Sequence, residues 1–451
     1  MTSWTIPSVL SSLFARLTIH FDLRTQALFQ SILVGIFFTA ARRRTASSWF
    51  RGGNVGEEFH RAYNAVGSVG RKAKSMAATV LLDVENSPGL ADQEEIVFAI
   101  DDTPSKRYGP KVEGAGLHHN PTPGPAGSAF VYGHSFVTLA RVVTHPEHGT
   151  RALPIRADLY VRAKDIAKIP PEREWKFRTK IEMAVEQLNW VGTWLGGKPD
   201  KPKSIWAVVD GAYAKRTVIE AARKNGIHLV SRLRKDAALR DLPEEQPAGK
   251  RGRKPKYGRG VISLAKRARH PGGWQTEEMV LYGKSVVKTY KTFLATWNPA
   301  GGVIRVVMVK EEDRSWRAYF SIKTDATAAE ILGKVAERTS IEDTFKDLKE
   351  VWGAGQQQLR NIHANIGAWH LNMWSYTMTE LWAWDEPVEK LVDRSASPWD
   401  NQPRRPSHAD RRKALQQDCL RREYQAALQG PDQTEKLKSL CLRLMENAAE
   451  C

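Results

Sequence analysis

The sequence predicts an α/β protein, a mixed sheet flanked by helices, on three observations. Two short apolar stretches, Glu95–Ile100 and Ser204–Val209, read as strands buried on both faces, and each runs into aspartate, at Asp101-Asp102 and at Asp210. Behind the second stretch come a helix over Lys215–Lys224 and a strand over Ile227–Ser231, which is β–α–β grammar. Third, Ala336–Asn361 reads as a two-striped helix. Ile341, Phe345, Leu348 and Trp352 recur at i, i+4, i+7 and i+11 as a buried face. Arg338, Glu342 and Lys349 fall on a narrow arc of another face, a cation–carboxylate–cation row.

The 451 residues leave room for two or three domains, and the formal charge is +18. Such a charge speaks of partners, and a polyanion is the leading one; a membrane surface would ask for a basic amphipathic helix, whereas the main basic run here is rich in Gly and Pro. Fifteen tryptophans among many cations suit base stacking and backbone tracking. The apolar run Gln26–Ala41 is short for a bilayer and carries two glutamines, so it reads as a buried helix. No cationic stretch precedes the first apolar residues, so no signal peptide is expected. Cys419, Cys441 and Cys451 form no CxxC pair, which argues against a zinc site and a disulfide framework and fits a reducing cytoplasm.

In chain order, residues 1–94 read as a helical N-terminal domain. Arg42-Arg43-Arg44 before a Thr/Ser-rich helix start, and a helix over Val55–Val69, would suit a helix–turn–helix DNA binder as well as a packing domain. Residues 95–231 form the first part of an α/β core. After Glu95–Ile100 comes a Gly/Pro/His-rich loop, Tyr108–Gly127, whose His118 and His119 read as loop residues rather than ligands. Strands follow at Tyr132–Val143 and Thr150–Leu159, then a helix over Pro170–Leu195. Residues 232–323 read as a basic β-strand insertion. It opens on the run holding Lys250, Arg251, Arg253, Lys254 and Lys256 and continues in alternating stretches at Met279–Trp297, Val303–Lys310 and Trp316–Lys323. Residues 324–384 complete the core, with a Trp-rich helix over Ile362–Trp384; residues 385–451 are a linker and a charged, peripheral helical tail.

Three acidic positions stand out: Asp101 or Asp102, Asp210 and Glu342. Carboxylates at the ends of buried strands cost desolvation unless paired or metal-bound. If the two strands are neighbours, their carboxylates converge at the edge where open α/β sheets bind ligands. A third carboxylate from a helix would complete an all-oxygen site suited to Mg²⁺. Two such ions can serve the attacking and leaving oxygens of a phosphodiester, and the basic charge would hold the polyanion.

On these residues the chain resembles the DDE transposases of the RNase H-like, retroviral-integrase superfamily, and within them the bacterial insertion-sequence-four group. That group carries Asp in a strand ending D-T, a second Asp in an apolar strand, and Y-x2-R-x3-E-x6-K. Arg338, Glu342 and Lys349 match the last three positions, and Val335 stands where the group has Tyr. The resemblance implies an RNase H-like mixed sheet flanked by helices, with a β-rich insertion before the catalytic Glu helix. It selects Asp102, the aspartate followed by Thr, as the first metal ligand, with Asp210 and Glu342 as the others. Two Mg²⁺ ions per site are implied, with Mn²⁺ as a substitute. Arg338 and Lys349 would bind DNA, as would the basic run, and Trp316 or its rival Trp297 would stack on a base. The implied reaction is metal-dependent cleavage at transposon ends, followed by attack of the freed 3′-OH on the opposite strand or on target DNA. Partners would be terminal inverted repeats, target DNA and a second copy of the chain, in a bacterial cytoplasm at the nucleoid. The alternatives are an inactive or domesticated DNA-binding protein and another RNase H-like nuclease.

Overall fold

The computed structural model describes residues 5–39, 43–120, 127–196, 203–244, 254–313, 315–393, 399, 404–429 and 432–448. Its strands are β1 (Glu95–Lys106), β2 (Gly116–His119), β3 (Phe130–His145), β4 (Gly149–Tyr160), β5 (Ser204–Val209), β6 (His228–Leu233), β7 (Leu239–Arg240), β8 (Val261–Ile262), β9 (Gln275–Leu281), β10 (Lys284–Trp297), β11 (Gly302–Lys310) and β12 (Trp316–Ser321). The helices are α1 (Ser8–Thr18), α2 (Leu23–Phe38), α3 (Ala46–Gly52), α4 (Phe59–Glu85), α5 (Pro88–Ala91), α6 (Lys180–Leu195), α7 (Arg216–Lys224), α8 (Leu264–Arg269), α9 (Ala328–Arg338), α10 (Ser340–Glu350), α11 (Ile362–Trp382), α12 (Val388–Leu391), α13 (His408–Ala427) and α14 (Gln433–Ala448).

The strands make one mixed sheet in the order β2-β3-β1-β5-β6-β12-β11-β10-β7-β8, with β4 on β3 and β9 on β10. Among the described strands only β1–β5 and β5–β6 pair in parallel. The strands within residues 232–323 build no sheet of their own, because β12 pairs antiparallel with β6 from Ala318↔Leu233 to Ser321↔Val230 and so extends the core sheet. The stretch Met279–Trp297 is divided between β9 and β10. Tyr282 (φ 55°) and Gly283 (φ 70°) turn the chain there, the left-handed pair that a tight hairpin needs.

Alternation along β1 decides what each helix meets. Glu95, Val97, Ala99, Asp101 and Thr103 share one face, where α9 and α10 lie: Lys334 Nζ meets Glu95 Oε2 at 2.7 Å, Arg338 Nη2 meets Asp101 Oδ2 at 2.6 Å, and Lys349 Nζ donates to Thr103 Oγ1 at 2.7 Å. Ile96, Phe98, Ile100 and Asp102 share the other face, where Lys180 Nζ at the start of α6 meets Asp102 Oδ2 at 2.5 Å.

Several boundaries move from their sequence expectation for local reasons. The helix expected from Pro170 starts at Lys180, where Thr179 and Glu182 form a reciprocal capping box. The helix expected over Ala336–Asn361 is two. Thr339 keeps helical angles (φ −59°, ψ −22°) but is held by bonds three residues apart, and α10 ends at Glu350 ahead of Gly353 (φ 67°) and Gly355 (φ 103°).

The N-terminal helices share one hydrophobic core with the sheet. α2 carries the apolar run, with Phe29, Ile32, Leu33 and Ile36 fully buried, and among the described residues no helix is long and apolar enough to cross a membrane. α4 lies against α11 so closely that a Cβ on Gly70 would meet the His363 carbonyl oxygen at 1.8 Å, and one on Gly367 the Val66 carbonyl oxygen at 2.0 Å. The tryptophans serve this core more than a surface: Trp49, Trp206, Trp352, Trp369 and Trp374 are fully buried. The tail is not peripheral either. α13 sends fully buried Arg411 onto Glu380 of α11 at 2.8 Å, beside His408 Nδ1 at 2.5 Å from the same carboxylate.

Candidate catalytic and DNA-binding site

β1 and β5 run side by side up to the pair Ile100↔Val209, and there their ladder stops. β1 continues alone against β3, from Asp101↔Thr138 to Lys106↔Gly133. Pro104 is tolerated because its missing N–H faces the edge that β5 has left. Asp101 and Asp210 are therefore the first residues past the last parallel pair, at the carboxyl ends of adjacent strands and on the same side by strand parity. α10 packs over that side and carries Glu342.

Arg338 bridges two of the three acids. Its Nη2 holds Asp101 at 2.6 Å and its Nη1 lies 3.5 Å from Glu342 Oε1. Burial first, then the neighbouring Asp102 and Asp210 charges, raise the Asp101 pKa to about 6 against the pull of Arg338. Asp210 is exposed, and its Oδ2 accepts from the Ala212 N–H at 3.3 Å. Glu342 is exposed as well. Lys349, farther along α10, is half-buried against Thr103, and burial lowers its pKa.

Asp102, selected above by the D-T pattern, points the other way. Its Oδ1 accepts from Tyr213 O–H at 2.9 Å and its Oδ2 from Lys180 at 2.5 Å and Ser135 Oγ at 3.4 Å. Burial and the Asp102 charge push the Tyr213 pKa up, so the phenol stays a donor. Tyr213 belongs to the short turn that Asp210 opens. Asp102 thus clips the Asp210 turn to β1 from behind, on the face away from Arg338 and Glu342. One residue of register in a period-two strand separates the two roles, and no local spacing in the sequence distinguishes them.

Asp101, Asp210 and Glu342 offer hard oxygen donors of the kind Mg²⁺ prefers, at a point where burial, with a smaller contribution from neighbouring negative charge, raises the Asp101 pKa. In the conformation seen they do not enclose a common point. Arg338 stands between two of them, and no cluster of three or more His, Cys, Asp or Glu side chains among the described residues is close enough to hold an ion. By donor chemistry alone, three carboxylates suit a divalent cation.

The other expected DNA contacts separate by burial. Trp297 is 9% exposed, its ring edge-on to Phe320 at 5.0 Å; it is a core residue with no face for a base, because the alternation of β10 turns it inward. Trp316 is half-buried with Lys235 above its ring at 5.1 Å. Lys254 and Lys256 are exposed, and Lys250, Arg251 and Arg253 lie outside the described residues. A cleft of about 350 Å³ beside Asp210 is lined by Arg232, Arg234, Lys235 and Arg317. Sequence reading passed over these four, as it did Lys180 and Tyr213. The first four were visible only as cations spaced along strand ends, and the last two gave no signal.

A model of the DDE superfamily endonucleases matches residues 14–293, more than half of the chain, and the chain belongs to that family. The matched segment holds Asp101, Asp102 and Asp210 and stops before Glu342. Among solved structures the chain is similar to a piggyBac transposase in a synaptic complex with hairpin DNA, at 10% identity and a TM-score of 0.40, over 94% of this chain and 76% of that one. No curated protein matches the chain.

Proposed function

We propose that the chain is a DNA transposase. It cuts the phosphodiester at the ends of an insertion sequence and joins the freed 3′-OH to target DNA, with Asp101, Asp210 and Glu342 as its acidic triad. The observation that carries this reading is the placement of Asp101 and Asp210 at the split of two parallel strands, on the face that α10 covers with Arg338, Glu342 and Lys349. The strand order β4-β3-β1-β5-β6, with β1, β5 and β6 parallel, is that of an RNase H-like core and supports it. The R-x3-E-x6-K spacing supports the insertion-sequence-four subgroup, with Val335 packed against the core where that group has Tyr.

The three carboxylates would hold Mg²⁺, which when bound supplies Lewis acidity to the phosphodiester and a lowered pKa for the attacking water or 3′-OH. The chain's own residues position the substrate. Arg338 offers a planar fork to a phosphate and so exchanges its carboxylate partners for the DNA, while Lys349 places a point charge farther along the strand. Arg232 and Lys235 extend the positive charge on the Asp210 side, beside Arg234 and Arg317, which pair with Asp236 and Glu311. Tyr213, Lys180 and Asp102 hold the Asp210 turn in place from the opposite face.

Glu342→Gln tests the reading. With duplexes of the element's own terminal sequence, the variant binds as the wild type does and gives no Mg²⁺-dependent cleavage. Normal cleavage by the variant would remove Glu342 from the site.

A further inference from the structure

One cation already stands among the proposed acids. Both oxygens of Asp101 are engaged: Oδ1 accepts from the Asp102 N–H at 2.8 Å and Oδ2 from Arg338 Nη2 at 2.6 Å. The Asp101 and Arg338 side chains are 18% and 16% exposed, so salt and water screen their attraction little. On its other arm, Arg338 Nη1 lies 3.5 Å from Glu342 Oε1, long for a hydrogen bond, and that carboxylate is 64% exposed. Arg338 is the last residue of α9, and Thr339, which follows it, donates its N–H to the Ala336 carbonyl at 3.2 Å. The backbone beneath the guanidinium is thus fixed at the joint of two helices.

A second observation, independent of that ion pair, is the donor that Arg338 leaves unmet. Its Nε is buried and has no hydrogen-bond partner. Buried polar atoms left without partners are rare. A guanidinium pairs best by giving two parallel N–H bonds to two oxygens of one anion, and here Asp101 takes Nη2 alone. A phosphate, with several free oxygens, can take Nε and Nη2 at once. Lys334, one turn earlier on α9, offers a contrast: its ion pairs, with Glu95 at 2.7 Å and Glu337 at 3.6 Å, lie outside the three proposed acids.

Resting on the proposed function, we infer that Arg338 makes divalent-cation binding conditional on DNA. Without DNA, its guanidinium neutralises Asp101 and stands against a second positive charge at the same carboxylates. A DNA phosphate that takes Nε and Nη2 draws that charge away and leaves Asp101 and Glu342 to the cation. DNA and cation then favour each other, and by linkage each raises the other's affinity by the same factor. Loading of the site follows the arrival of the substrate.

The test measures Mn²⁺ binding to the full-length protein from the electron paramagnetic resonance signal of the free ion. The protein is titrated alone and saturated with a terminal duplex, and binding to the duplex by itself is subtracted. The wild type gains about tenfold in Mn²⁺ affinity on adding DNA, a coupling of ordinary size. Arg338→Gln binds Mn²⁺ without DNA about tenfold more tightly than the wild type and gains little more from DNA. Lys334→Gln, which removes the same charge from the same helix, behaves as the wild type does. Equal wild-type affinities with and without DNA would overturn the inference, and that comparison needs no variant to fold. Lys334→Gln reproducing Arg338→Gln would overturn it too, since net charge alone would then be at work. If neither the wild type nor Arg338→Gln binds Mn²⁺ in either condition, the transposase reading fails as well. If the wild type binds Mn²⁺ and cuts the duplex in Mg²⁺ without any coupling, only the role of Arg338 fails.

Discussion

Replacing Asp101 and Asp102 one at a time separates the two sides of β1. Asp101→Asn replaces a proposed anionic metal donor with a neutral amide and leaves exposed Glu342, at 3.5 Å, as the one carboxylate in its ion pairs with Arg338. Loss of cleavage should exceed a thousandfold, or about 4 kcal/mol in transition-state terms. Asp102→Asn keeps an Oδ1 that can accept from Tyr213 and loses only the charge opposite Lys180. That ion pair joins side chains 34% and 23% exposed, so its stability contribution is at most about 1 kcal/mol. Its effect on rate should resemble that of other residues that orient a ligand indirectly, roughly 10–100-fold. The assay is Mg²⁺-dependent nicking of a labelled terminal duplex under single-turnover conditions, with thermal unfolding of each variant run alongside to confirm folding. An Asp101→Asn enzyme that still cuts, beside an inert but folded Asp102→Asn, would show that the strand register assigned here does not describe the active protein.

Three further outcomes follow from the same geometry. Glu380→Gln leaves fully buried Arg411 without its counter-charge, so unfolding by urea should show a loss of about 3–5 kcal/mol. His134 and His370 are fully buried and held down to about 3 and about 4, so between pH 6.5 and those values the unfolded chain binds protons that the native one refuses. Asp101, held near 6, works the other way and cancels about one of them. His118 and His148, also held down to about 4 by burial, act in the same direction, so stability of the metal-free protein should fall as pH drops through 6 toward 4 by at least roughly 1.4 kcal/mol per unit, and an acid limb that rises instead would contradict the burial of those histidines. Neutralising Lys250, Arg251, Arg253 and Lys254 together should lower the slope of log K against log salt by up to about 3.6, and an unchanged slope would mean the run does not touch DNA.

Much of this architecture could be read from periodicity. The strands that end on Asp101-Asp102 and Asp210, the apolar stripe of Ile341, Phe345 and Leu348, and the β-rich middle of the chain all stand where their patterns put them. What escaped was set by partners distant in sequence. The choice between Asp101 and Asp102 depends on which helix covers which face of β1, and Lys180, Arg338 and Tyr213 lie 78, 237 and 111 residues from their partner aspartates. No local motif fixes Trp316 over its rival Trp297, and β10 buries Trp297 while β12 leaves Trp316 half open. The strands after Arg232 read as an insertion because they lie between the Asp210 unit and the Glu342 helix, and hydrogen bonding through β12 joins them to the core sheet, which no local pattern reveals.

The spread of the three carboxylates along the chain has a consequence for synthesis. Asp101 is made early and Glu342 comes 342 − 101 = 241 residues later. At ribosomal speeds of about 5–20 residues per second, the first strand waits roughly 12–48 s for the helix that faces it. Through that interval the emerging chain holds its basic run and two of the proposed acids but lacks the third. On the proposed function, a chain cut short before α10 keeps its cationic segments and cannot complete the acidic triad.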